Sequence, residues 1–101
     1  MGQAMTIQEL FTGPETWTQG TYARSREGCD VAESSPTAVS FCLAGAFYFA
    51  YAMRGQAYSN EFKRVADAIG VRDTIGEITN WNDDPSRTFA DIRRVIEQAN
   101  V

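Results

Sequence analysis

The chain has 101 residues, of which 44% are hydrophobic and 22% charged, so it is long enough for one globular domain and too short for two domains that enclose a cleft. The net charge is −4 and no basic stripe emerges, which disfavours direct binding to nucleic acid. Histidine is absent, and this excludes His-based triads, Cys–His pairs and His-ligated zinc.

The first third of the chain carries the signals of a short helix followed by a β-hairpin. Thr6 and Glu9 fit a capping box, and Gly13 begins a Gly-Pro pair that ends the helix quickly. The following segment is rich in β-forming residues and contains a turn with a glycine. We therefore predict one small antiparallel β-hairpin near residues 17–33, with Gly28 in the left-handed position of its turn.

The most apolar stretch, residues 36–53, is predicted to be the central helix. Pro36 suits the first helical position, and Ser35 can cap it. A membrane span is the alternative, but the run is shorter than the roughly 20 residues that a bilayer needs and lacks clustered positive flanks. Gly45 in its middle indicates that another backbone or an aromatic ring approaches closely.

The last third of the chain contains two amphipathic helices with a weaker segment between them. The first begins at Ser59 and is ended by Gly70, and the second begins with a capping box at Thr88. Residues 71–81 could form a short helix, which Gly76 weakens.

Together these elements predict the fold class. We expect an α+β, mainly helical single domain over residues 1–101, with about four helices round the central helix 36–53. One small hairpin near 17–33 completes it, packed on the helices because a lone hairpin is only marginally stable.

The densest polar cluster is residues 81–88, which lead into the last helix. One interpretation is structural, with an ordered loop that caps the helix. The loop would be held by Asx turns, a proline bend and an ion pair between Arg87 and one of two adjacent aspartates. The other is a recognition site in which Trp81 is a platform and Asn82, Asp83 and Arg87 are polar hooks. The adjacent acids could hold Mg²⁺ or Ca²⁺, but no calcium-loop pattern follows, so we predict no metal site.

A second aromatic-polar segment contains Trp17, Gln19, Tyr22 and Arg24. If it folds against the cluster at 81–88, the arginines of both segments meet the acids there. Such an arrangement would be a half-buried ionic network, retained for specificity or for binding.

The two cysteines point to a cytoplasmic protein with free thiols. The N-terminus has neither the basic nor the apolar region of a secretion signal, so we expect the cytoplasm of a bacterium, or of a host cell if a phage encodes the chain. Cys42 lies in an apolar run and has no histidine to activate it, which is typical of a small core residue rather than a nucleophile. We make no prediction that Cys29 and Cys42 pair.

The chain resembles a family of small uncharacterised proteins of bacteria and their phages. The similarity spans residues 17–96, and in the family pattern an acid often follows the hairpin arginine, where this chain has Ser25. The resemblance implies a shared fold and no known activity. The residues that carry it are Trp17-x-Gln19-Gly20, Ala23-Arg24, Gly28, Phe41-Cys42-Leu43-x-Gly45-Ala46 and, most specifically, Trp81-Asn82-Asp83-x-Pro85-x-Arg87-Thr88.

The leading functional hypothesis is a non-enzymatic interaction protein, encoded by a phage or mobile element, that inhibits a host or defence component as anti-CRISPR proteins do. Its partner would be another protein, and we expect this chain to contact no nucleic acid, no membrane and no cofactor. The oligomeric state is left open, with a homodimer as one possibility. The alternative is a binding protein or sponge for an anionic or nucleotide-like ligand at the Trp81–Arg87 loop. An enzyme that uses only acids and arginine comes third, and no catalytic residue is assigned. The candidate binding residues are Trp17, Gln19, Tyr22, Arg24, Trp81, Asn82, Asp83 and Arg87.

Overall fold

The structure, a computed structural model, describes residues 6–54 and 59–101, and these ranges contain five α-helices and a small three-stranded sheet. The helices are α1 (Ile7–Leu10), α2 (Leu43–Arg54), α3 (Ser59–Ile69), α4 (Ile75–Asn82) and α5 (Phe89–Ala99). The strands are β1 (Ala23–Ser25), β2 (Asp30–Val31) and β3 (Ala38–Phe41), and Pro14–Thr16 form a 3₁₀ turn. The predicted α+β class, with a hairpin and a larger helical part, is confirmed.

The sheet has the strand order β2-β1-β3, and both pairings are antiparallel. β1 and β2 form the predicted hairpin, in which Arg24 lies opposite Asp30. Gly28 has a φ of +85° in the connecting turn, as predicted, and glycine adopts this conformation without steric cost. On the far side of the sheet, a parallel bridge between Trp17 and Phe41 covers part of the outer edge of β3.

The prediction of a single helix over residues 36–53 is wrong in its first part. Ser35 and Pro36 open a turn in which the Ala38 amide donates to the Ser35 carbonyl at 3.1 Å, and Ala38–Phe41 then pairs with β1. Proline is favoured at the second position of such turns, so the Ser-Pro pair here starts a turn and not a helix. An apolar run does not by itself distinguish a buried strand from a buried helix, and a two-stranded hairpin gains stability from a third strand.

The remainder of the apolar run is the central helix α2. Its side chains at Leu43, Ala46, Phe47 and Ala50 are buried, and α1 and α4 pack against it. Phe47 meets Phe62 of α3 edge-on, with ring centroids 5.2 Å apart. Each large apolar side chain buried in this way contributes about 1.5–3 kcal/mol. Within residues 6–54 and 59–101, no helix combines the length and the apolar character needed to cross a membrane.

Gly45 of α2 allows the sheet and the central helix to come into direct contact. A Cβ atom at this position would overlap the carbonyl oxygen of Tyr22, in the segment that leads into β1. The same carbonyl accepts a hydrogen bond from the Cys42 amide at 3.1 Å. The predicted close approach of another backbone at Gly45 is therefore confirmed.

Threonine side chains cap the starts of α1, α4 and α5. The capping boxes predicted at Thr6 and Thr88 are both present. The weak short helix predicted in residues 71–81 is present and ends at Asn82. Thr74 stabilises its start by accepting a hydrogen bond from the Glu77 amide. α3 begins at Ser59 as predicted, although the side chain of that serine lies outside the part of the chain that the structure describes.

The cap of α5 is expected to make stability depend on pH. A hydrogen bond from the Thr88 backbone N–H holds the pKa of Asp91 below its usual value, and the nearby Arg94 guanidinium adds to this. Because the pKa is lower in the folded state, the stabilisation is complete above the unfolded pKa of about 3.9 and is lost as pH falls through the folded pKa. We expect Asp91→Asn to lower the melting temperature most above pH 5 and hardly at all near pH 2, as measured by calorimetry. An equal difference at every pH would contradict this role of the carboxylate.

Candidate functional site

The buried side chain of Asn82 joins two segments that are distant in the sequence. Its Oδ1 accepts hydrogen bonds from the Trp17 indole N–H at 2.8 Å and from the Leu43 backbone N–H at 3.0 Å. Its Nδ2 donates to the Thr18 carbonyl at 3.2 Å and to Asp83 Oδ1 at 2.9 Å. Both N–H groups and both lone pairs of the amide are thus used, as a fully buried asparagine requires.

Asn82 also caps a helix to which it does not belong. Leu43 is the first residue of α2, and the first backbone N–H groups of a helix have no partner inside it. Asn82 Oδ1 accepts one of them, and the Cys42 Sγ atom accepts another from Gly45 at 3.3 Å. The end of α4 is therefore bonded to the start of α2.

The segment 17–20 and the residues 82–84 form further hydrogen bonds around Asn82, and we call these two segments the junction. Gln19 Nε2 donates to the carbonyls of Asn82 and Asp84 at 2.8 and 2.9 Å. The Gly20 amide donates to Asp83 Oδ1 at 3.0 Å. The two aromatic-polar segments of the sequence therefore fold against each other, which the sequence had left open.

Arg87 closes the outer side of the junction. Its guanidinium lies 4.0 Å from the centre of the Trp81 ring, and its Nε donates to the Trp81 carbonyl at 2.8 Å. It also lies 3.6 Å from Asp84 and 3.9 Å from Asp91, which confirms the expected pair with one of the two adjacent aspartates. Hydrogen bonds from Ser86 hold the pKa of Asp84 below its usual value. These contacts fit the structural interpretation of the loop.

Arg24 does not reach the acids of the junction, and this part of the expected ionic network is wrong. Its guanidinium bonds to Asp30 at 2.8 Å, to the Thr18 hydroxyl at 2.8 Å and to the Gln19 carbonyl at 3.1 Å. The reason is the hairpin register, which places Arg24 directly opposite Asp30. Arg24 therefore holds the hairpin to the segment 17–20.

A cleft of about 230 Å³ opens beside the junction, and we call it the Asp83 cleft. Tyr22 forms its aromatic wall, with 41% of the residue exposed, and packs edge-on against Tyr48 at 5.7 Å. Thr79 lines the same cleft, and its hydroxyl oxygen is buried and has no hydrogen-bond partner among the described residues. The lining residues are Gly20, Thr21, Tyr22, Cys42, Thr79 and Asp83.

Cys42 contributes a thiol to this cleft, but one that is poorly suited to nucleophilic attack. The side chain is buried, and burial raises the pKa of the thiol. Since the thiolate is the reactive form, Cys42 is a packed core residue rather than a nucleophile, as expected, and its role as a helix cap was not predicted. Cys29 is exposed, and both cysteines are free.

A second surface lies at the outer part of the sheet, and we call it the Val39 surface. Val39 is the residue at which the pairing of β1 with β3 is irregular, and 44% of it is exposed. Two clefts of about 400 and 240 Å³ flank it and share Val39 and Arg26. Such bulges aim a side chain away from the sheet. Besides the shared pair, Glu15 and Glu27 line one cleft each.

A model of a protein family matches residues 9–100, nearly the whole chain. The chain belongs to the family of unknown function DUF6197. No curated protein and no solved structure gives a significant match. The DUF6197 assignment confirms membership of a family without an assigned function, while the motif positions of the resemblance stay a prediction.

The eight candidate residues of this DUF6197 chain fall into four groups. Trp17, Gln19, Asn82 and Asp83 are joined by hydrogen bonds in the junction. The Trp81–Arg87 pair flanks the junction, and Tyr22 lines the neighbouring cleft. Arg24 belongs to the hairpin, as described above. Whether any of them binds a partner stays a prediction.

Sequence reasoning missed Thr79 and Val39. Thr79 has no motif around it, and its spacing of four residues from Asp83 on α4 was the signal that both share one helix face. Val39 lay inside the run assigned to a helix. Within the described ranges, no group of three or more acidic or thiol side chains could hold a metal ion.

Proposed function

We propose that this protein is a non-enzymatic interaction protein that binds another protein in the cytoplasm through the Val39 surface. The observation that carries the proposal is the exposed bulge residue Val39 between two clefts at the sheet. An apolar centre with a mixed polar rim is the usual composition of a protein-binding patch. Arg26 and Glu27 supply such a rim, since neither forms an ion pair within the described ranges.

The internal bonding of the junction supports the same proposal. The polar groups that could act as hooks for a ligand are bonded to one another, with Asn82 as their centre. The alternative of an anion-binding protein needs free cationic groups, but the guanidinium groups of Arg24 and Arg87 are already paired with aspartates. Binding is therefore more favourable at a surface that the fold does not use.

A concrete version of the proposal is an inhibitor encoded by a phage or mobile element. Such a protein acts by covering a surface of a host or defence component, as anti-CRISPR proteins do, and this needs no catalytic group. Covering a surface needs a rigid patch, and the residues on either side of Val39, Ala38 and Ser40, are both paired with β1.

The test places a photoreactive benzoylphenylalanine at position 39, with a control at Gln98, an exposed residue of α5. On illumination of expressing cells, we expect a discrete cross-linked product from position 39 and none from position 98. Arg26→Glu should reduce the yield of this cross-linked product severalfold, because it reverses the charge of a residue that lines both clefts. A product of twice the mass of the chain would identify the partner as a second copy. The same diffuse pattern from both positions would refute the proposal.

A further inference from the structure

We propose that the Asp83 cleft binds a primary ammonium group carried on a short alkyl chain. The site is independent of the Val39 surface and of the partner proposed for it. Its chemistry is the opposite of the anionic ligand considered from the sequence, because the described residues that line the cleft include a carboxylate and no basic side chain.

The first observation is a carboxylate without a cation. Asp83 Oδ1 accepts hydrogen bonds from Gly20 and Asn82, whereas Oδ2 has no partner within the described ranges. Five of the other acids there are paired with arginines, and these are Asp30, Glu77, Asp84, Asp91 and Glu97. Asp83 is only partly exposed and also ends α4, where the helix dipole adds negative potential. A half-buried negative charge of this kind favours a cationic ligand.

The second observation is a buried hydroxyl without a partner. Thr79 Oγ1 is inaccessible to solvent and forms no hydrogen bond with any residue that the structure describes, which is rare because such a group costs free energy until it is satisfied. Thr79 lies one turn before Asp83, and the Asp83 amide bonds to the Thr79 carbonyl at 2.9 Å. Both side chains line the same cleft. An ammonium group has three donors and can serve a carboxylate and a hydroxyl together.

The third observation is the aromatic wall. The edge-on contact between Tyr22 and Tyr48 fixes the ring that borders the cleft. Aromatic rings attract cations, and the alkyl chain of the ligand would pack on the same ring. The volume of about 230 Å³ is below the range of drug-sized pockets, so the site suits a small fragment.

The ammonium group could come from a free amine or from a lysine side chain. Three probes separate these sources: n-butylammonium as the minimal ligand, 1,4-butanediamine as a free diamine, and acetyl-lysine-methylamide with a free ε-ammonium as the side chain. Butyrate and butanol have the same chain length without the positive charge. Tighter binding of the diamine indicates a free amine, and tighter binding of the lysine derivative indicates a peptide.

The experiment is a titration of the whole chain followed by ¹H–¹⁵N NMR. We expect saturable shifts at the Gly20, Thr79 and Asp83 amides with n-butylammonium, with a Kd on the order of 1 mM, and no such shifts with butyrate or butanol. Asp83→Asn keeps an oxygen for its two internal donors, and it should weaken binding about tenfold.

Two further variants separate binding from folding. Asp84→Asn removes the neighbouring negative charge, which is bonded to Arg87 and Ser86, and should leave the Kd of n-butylammonium unchanged. Thr79→Val should weaken binding severalfold while raising the melting temperature, because it removes an unsatisfied buried hydroxyl. No saturable shifts, equal binding of butyrate, or equal losses in Asp83→Asn and Asp84→Asn would each overturn the proposal.

Discussion

Gly45→Ala is expected to destabilise the protein strongly, whereas the same substitution at Gly76 should stabilise it. At Gly45 the added methyl group overlaps the Tyr22 carbonyl, and a backbone atom cannot move away as a side chain can. Overpacking of this kind costs about 3 kcal/mol, and the higher helix propensity of alanine returns about 1 kcal/mol. At Gly76 no atom lies within 4 Å of the added carbon, so only the gain from propensity remains.

Thermal unfolding of the two variants measures this difference. For a domain of this size, we expect Gly45→Ala to lower the melting temperature by roughly 10 °C and Gly76→Ala to raise it by up to about 4 °C. A melting temperature of Gly45→Ala equal to or above that of the wild type would show that the contact between α2 and the segment before β1 does not limit packing.

Asn82→Ala should have the second large effect, a loss of about 4 kcal/mol in the free energy of unfolding. The substitution leaves the Trp17 indole N–H, the Leu43 amide and the Thr18 carbonyl without their shared partner. Each buried group that loses its hydrogen bond costs about 1–3 kcal/mol. Trp17→Phe removes only one of these bonds and should cost less, because Asn82 Oδ1 keeps the amide of Leu43.

Asn82→Asp gives a sharper version of the same test. The Oδ1 acceptor is retained, but the second oxygen faces the Thr18 carbonyl and Asp83 Oδ1, both of which need a donor. The buried charge would have a raised pKa, so the variant should recover stability as pH falls towards that pKa and a proton restores one donor. Urea unfolding at pH 7 and pH 5 measures this. A pH-independent loss would mean that the junction opens to water.

The parts of the fold that depend on local signals could be predicted from the sequence. The capping boxes at Thr6 and Thr88 and the turn at Gly28 are determined by a few neighbouring residues. β3 could not be predicted, because an apolar run becomes a strand only where a partner strand is available. The nearest sequence signal, Ser35-Pro36, is compatible with both a helix start and a turn.

The candidate site shows the same limit. The polar and aromatic residues marked both segments as candidates, but that the segments meet, as the hydrogen bond between Trp17 and Asn82 shows, was left open. That Asn82 would cap α2 through Leu43 depends on a contact between residues 39 positions apart. The binding partners of the Arg24 side chain depend on the hairpin register, which places Arg24 opposite Asp30. A shift of the hairpin by one residue would have changed these partners.

Of the two tryptophans of the chain, Trp17 belongs to the junction and Trp81 flanks it. Trp17 is hydrogen-bonded to Asn82, and Trp81 is stacked under Arg87. Indole fluorescence therefore reports on this contact alone, whereas circular dichroism follows the helices throughout the fold. Coinciding unfolding curves from the two signals would show one cooperative unit. An earlier change in emission would show that the segment before β1 detaches while the helices persist, so the wild-type chain carries its own optical probe of local opening.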